Sequence, residues 1–119
     1  MKKTLIVGLT CVLILTFLGC GQKETYSNAS NQARSVAVLA LEIVDEVLDH
    51  QLSTDAALQR ISELPEFEKE SSADSIVASH ILMLELVILT WGWGQTSARY
   101  DEMLEARNAI AIGLGVPER

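Results

Sequence analysis

The side chains that carry most enzyme chemistry are thinly spread in this chain. His50 and His80 are its only histidines, and Cys11 and Cys20 its only cysteines. Two-metal helical bundles use a Glu-x-x-His pair twice, plus two further glutamates. His50 follows Glu46 by four residues rather than three, and the residue three before His80 is Val77, so that pattern fails. A lone zinc would need at least three ligands. Ser72, Ser75 and Ser79 lie on the same or a preceding helical turn as His80, without the third orienting group that a triad requires. Gly92 and Gly94 do not match a phosphate loop, and no hydrolase elbow is present. The expectation is a protein that is not an enzyme and takes no cofactor or metal.

Three other residues are candidates for contact with a partner or ligand. Glu85 lies mid-run in the least polar stretch of the chain, between Leu84 and Leu86. A carboxylate there is expected either to pair with a cation, Arg99 or Arg107 of an antiparallel neighbour, or to stand exposed on a narrow wet strip; a functional acid is the other reading. Trp91 and Trp93 sit in Trp91-Gly92-Trp93-Gly94, where two glycines free the backbone for a reversal. Exposed, the rings are an aromatic hook. Folded back they lid the core, the expected outcome because each ring buries a large area. Glu42, Asp45, Glu46 and Asp49 recur at i, i+3, i+4, i+7, an acidic stripe read as a solvated helix face.

The N-terminus is the most specific part of the chain. Lys2 and Lys3 precede an apolar run from Leu5 to Leu18 that ends at the small residue Gly19, followed by Cys20. A basic start, about 14 apolar residues and a small residue describe a secretory signal peptide. A spanning helix asks for about 20. Phe17-Leu18-Gly19-Cys20 resembles the lipobox of bacterial lipoproteins. That resemblance, confined to residues 1–20, implies cleavage before Cys20, a diacylglyceryl thioether on its sulfur and tethering to a membrane. In a diderm cell Gly21 after the cysteine resembles the pattern sent to the outer membrane, facing the periplasm. In a monoderm cell the address is the outer face of the cell membrane. One acyl chain holds a protein only marginally, whereas two or three hold it stably.

The organisation expected is therefore a signal peptide (1–19), a lipidated cysteine with a short polar linker (20–28) and a helical domain (29–119). The formal charge of −7 becomes −9 once Lys2 and Lys3 leave with the signal peptide. Such a surface repels phosphate backbones and anionic headgroups, which disfavours nucleic acid as a partner. With Cys11 removed and Cys20 lipidated, the fold rests on its apolar core without a disulfide.

Two prolines and a 5% aromatic content point to helix rather than sheet. A first helix is expected from about Ser30 to Gln51. Val36, Ala40, Ile43 and Val47 form one apolar row, with Ala37, Leu41, Val44, Leu48 and Leu52 beside it. Ser53-Thr54-Asp55 starts a second, about Asp55 to Leu64, which Pro65 stops. An acidic connector follows, with Phe67 tucked back against the core. Ser71 or Ser72 caps a third, apolar nearly all round from Ile76 to Trp91. Such a helix is either central to the bundle or covered by a partner, with a second transmembrane span as the competitor. The most buried place in the bundle is expected for it. A fourth, about Ser97 to Leu114, is frayed by Gly113 and Gly115, and 116–119 form a tail. Short loops favour antiparallel neighbours, so the expected fold is an all-α, up-down-up-down four-helix bundle.

Two functional readings follow. One is a small interaction or scaffolding module in the cell envelope, anchored through Cys20 and docking an envelope protein or a second copy of itself. The other is a binding module for an apolar small molecule or lipid held between the helices.

Overall fold

The computed structural model describes residues 25–119, and the expected signal peptide and the expected lipidation site Cys20 lie outside the described residues. Helices α1 (Asn31–Leu48), α2 (Thr54–Ser62), α3 (Ser72–Trp93) and α4 (Ser97–Leu114) follow one another as an antiparallel four-helix bundle. Each begins on a hydroxyl residue in extended conformation. Ser30, Ser53, Ser71 and Thr96 accept from the backbone N–H of Ala33, Ala56, Asp74 and Arg99 at 3.1, 3.2, 3.2 and 3.1 Å. Those bonds satisfy an amide that the first helical turn leaves without a partner.

Helix α1 stops at Leu48 rather than Gln51, for a reason visible in its backbone. His50 adopts φ 60°, donating its N–H to Val47 O at 3.0 Å, and Gln51 N–H reaches Glu46 O at 2.8 Å. This pair of bonds is a Schellman closure with histidine where glycine is usual. His50 is consequently exposed beyond the helix end. Helix α4 closes the same way at Gly115, φ 77°, with Gly115 N–H on Ile112 O and Val116 N–H on Ala111 O. Gly115 thus seals a helix end that the sequence reading expected to fray.

The centre of the core belongs to α1 and not to α3. Ala33, Val36, Ala37, Ala40, Ile43, Val44, Val47 and Leu48 are all buried along α1. Its alanines let neighbouring backbones approach, and Leu84 and Ile88 from α3 and Met103 and Ile110 from α4 fill the space. Phe67 packs against this cluster from the connector, as expected. Helix α3 buries only Asp74, Val77, Leu84, Ile88 and Trp91 of its 22 residues. It is long and apolar enough to cross a membrane, yet only 22% of its most apolar window is buried. The bundle offers α3 one narrow contact face, because α2 has nine residues and covers only part of its length.

The linker is also shorter than the sequence suggests. Tyr26 is 1% exposed, among the largest fully buried side chains in the domain. Its N–H donates to Gly113 O at 2.8 Å, and its ring lies on Gly113, where a Cβ would come within 2.4 Å of two ring carbons. Tyr26, Ala29 and Ala33, all buried, extend the inner face of α1 backwards. Tyr26 therefore pins the chain at the end of the bundle where α1 and α3 begin and α4 finishes.

Candidate interaction surface

Eight large hydrophobic residues are exposed among the described residues, and five of them lie on α3: Leu82, Met83, Leu86, Leu89 and Trp93. Four of the five, Leu82, Leu86, Leu89 and Trp93, are spaced by four, three and four residues. That spacing lays them in one row along the helix. The row spans about 17 Å at 1.5 Å per residue. Exposures of 59% at Leu82, 49% at Leu86 and 70% at Trp93 make it a continuous apolar strip rather than scattered single residues. Strips of this kind mark interaction sites on soluble domains.

The two tryptophans have separate fates. Trp91 is buried, its ring 6.0 Å from that of Tyr100 at an interplanar angle of 57°, whereas Trp93 points into solvent. Helix α3 runs through Gly92 to Trp93 instead of breaking at the first glycine. Two residues in a helix are separated by about 200° around its axis, so one ring can lid the core only if the other leaves it. The expectation that both fold back holds for Trp91 and fails for Trp93.

Glu85 pairs with neither Arg99 nor Arg107 and takes the other expected place, a partly wet strip of the helix. Arg107 turns instead to α1, where Nε and Nη2 hold the two carboxylate oxygens of Asp45 at 2.9 and 3.3 Å. Arg99 Nη1 caps the Gly94 carbonyl at 3.0 Å. Glu85 is half-buried and lines a surface hollow of about 550 Å³ with Leu64, Phe67, Ile81, Leu82 and Lys69. A lysine on the same wall and open solvent replace the buried partner that a central helix would have demanded.

The acidic stripe of α1 is used as a clip as much as it is solvated. Asp45 holds Arg107 and Arg119, Asp49 holds Arg119 at 2.7 Å, and Glu46 holds Arg60 at 2.9 Å. Only Glu42 of the four is without an ion pair among the described residues. The segment after α4 therefore turns back along the helix, with Arg119 N–H on Asn108 Oδ1 at 2.9 Å. No group of three or more His, Cys, Asp or Glu among the described residues is placed to hold a metal ion.

Between α3 and α4 the apolar strip continues into a groove of about 610 Å³. Met83, Leu86 and Val87 form one wall and Ala106 and Ala109 the other, with Glu102 and Glu105 on the α4 rim. It is open along its length to solvent.

Two polar residues that sequence reasoning passed over fix the frame beneath this surface. The Tyr26 hydroxyl lies 2.6 Å from His80 Nδ1, joining the segment before α1 to α3. Burial pushes the Tyr26 phenol well above its usual range, so it stays protonated. Asp74, 1% exposed, accepts the backbone N–H of Ser30 at 2.8 Å and of Glu70 at 3.1 Å. The Ser30 amide, chiefly, holds its carboxyl below the ordinary value of 3.8. The signal for Tyr26 was its spacing from Ala29 and Ala33. Asp74 carried none beyond its place in a first helical turn.

Comparison of the chain with protein-family models, curated proteins and solved structures returns no match.

Proposed function

We propose that this is a membrane-anchored bacterial lipoprotein whose helical domain is an interaction module of the cell envelope, docking a neighbouring protein through the outward face of α3. One observation carries the reading: the row Leu82, Leu86, Leu89 and Trp93 stands in water on a helix face that the rest of the bundle leaves uncovered. Burying one such side chain contributes about 1.5–3 kcal/mol, so a partner covering the row gains substantially.

The anchor sets the geometry. With Tyr26 pinned to the bundle, only residues 21–25 separate it from the lipid-bearing cysteine proposed at Cys20. Six Cα steps reach roughly 20 Å when fully extended. The end of the bundle near Tyr26 is thereby held close to the membrane, and α3 rises away from it with Trp93 at the far end. Partners are then neighbours on the same membrane or proteins that approach it.

The experiment is a photo-activated cross-linking residue placed at Leu86, or at Glu42 on α1, in otherwise native cells. A discrete protein adduct is expected from position 86 and not from 42. Equal adducts from both positions, or none from 86, would contradict the reading. A second reading, an apolar small molecule or lipid, is favoured by the groove of about 610 Å³, within the range of small-molecule sites. Displacement of a groove-bound environment-sensitive dye by a lipid extract, lost in Met83→Gln, is its test.

A further inference from the structure

The geometry points to a partner element of one chemistry: an amphipathic helix of about three turns whose apolar row is flanked by lysines or arginines, laid along α3 beside α4. This inference rests on the docking role proposed above and names what docks. Its warrant is the charge that borders the apolar strip. Glu102 and Glu105, both exposed and three residues apart, line the α4 rim of the groove, and no lysine or arginine lines that groove. Glu85 stands on the other flank, beside Leu82, with Lys69 the only cation lining that hollow. An apolar track between carboxylates is complementary to a helix carrying cations on both sides of an apolar row.

The same charges disfavour the other occupants. A second copy packed about a two-fold axis across the strip would bring Glu102 and Glu105 of each copy to one seam. An axis along the strip would set them beside Glu85 of the other copy, and both are like-charge juxtapositions. A bilayer rich in anionic headgroups meets no cation lining the groove on the α4 side of the strip. A cationic helix meets neither obstacle, and the row's length of about 17 Å matches three turns.

The test uses the full lipidated chain in phosphatidylcholine nanodiscs, with protein-free nanodiscs as the blank. Three labelled 18-residue peptides are titrated by fluorescence anisotropy: a leucine row flanked by lysines, the same row flanked by glutamates, and a scrambled lysine peptide without a row. The lysine-flanked peptide is expected to bind at least about tenfold more tightly than its glutamate twin, a difference of about 1.4 kcal/mol. The scrambled peptide is expected not to bind. Glu102→Gln with Glu105→Gln should shrink the tenfold preference to about threefold or less while the leucine row still binds.

Equal affinity for the lysine and glutamate peptides overturns the inference while leaving docking through α3 intact. No binding above the blank by any peptide also overturns it, and cross-linking from position 86 then decides docking separately. Quenching of Trp93 by brominated lipids assigns the strip to the bilayer. A disulfide between Leu86→Cys copies in native membranes assigns it to a second copy. Either result overturns the inference.

Discussion

At the scale of single residues, three side chains hold positions their neighbours would not suggest. His50 occupies the left-handed backbone region that closes α1, at a cost that glycine does not bear. His50→Gly is expected to raise stability by about 0.5–1 kcal/mol, read as a higher urea midpoint at unchanged slope. Arg107 is 6% exposed and grips Asp45 with a two-pronged pair, adding bonds to Asn108 and Pro117. Removing the cation leaves Asp45 half-screened by water with only Arg119 as its partner. Arg107→Ala should therefore cost about 2–3 kcal/mol, less than a wholly buried pair would lose. Tyr26 is the third. A residue in what reads as polar linker is instead a plug at the end of the bundle.

At the scale of elements, α3 is the exception that gives the domain its surface. A nearly all-apolar helix normally sits at the centre of a bundle, and here α1 has that place. Because Leu86 is 49% exposed, Leu86→Gln is expected to leave stability within about 0.5 kcal/mol of the parent. The same change should abolish the cross-linked adduct from a reporter at Leu82. A destabilised variant would mean that Leu86 is packed. The helices themselves were legible in the sequence: hydroxyl caps at Ser53 and Ser71, Pro65 after α2, and the period of Val36, Ala40, Ile43 and Val47. What stayed hidden was rank. Period reveals which face of α1 is inward, but α3 has no polar face to reveal one, and the depth of a helix depends on how long its neighbours are. The shortness of α2, nine residues, was itself legible from Ser53 to Pro65, but its consequence for the depth of α3 was not. The partners of Arg107 were hidden for a similar reason, since register between α1 and α4 is a property of the packed bundle.

At the scale of the whole molecule, the parts meet at the end nearest the proposed anchor. Asp74 ties the start of α1 to the turn before α3 through the Ser30 and Glu70 amides, and Tyr26 ties the segment before α1 to α3 and α4. A carboxyl held below its ordinary value in the folded state adds stability that is fully present above the unfolded value of 3.8. That stability is lost as the pH falls through the lowered folded value. Asp74→Asn should be less stable than the parent at pH 7, and the gap should close below the lowered folded value. A gap independent of pH would remove Asp74 from the account of acid unfolding. The described domain thus has a tied end, which the proposed anchor would set toward the membrane, and an uncovered apolar side along α3.

The most direct test of that arrangement is maleimide accessibility in intact envelopes, because under the proposed processing Cys11 is removed and Cys20 is a thioether, which leaves no free thiol. Single cysteines are placed in turn at Glu42, Leu82, Leu86, Leu89 and Trp93, and each is labelled in native membranes and after purification. The account predicts that positions 82, 86, 89 and 93 are protected several-fold in the envelope and react freely once purified, while 42 reacts alike in both. Equal labelling at all five positions in both states would contradict it, since the strip would then be bare in the cell.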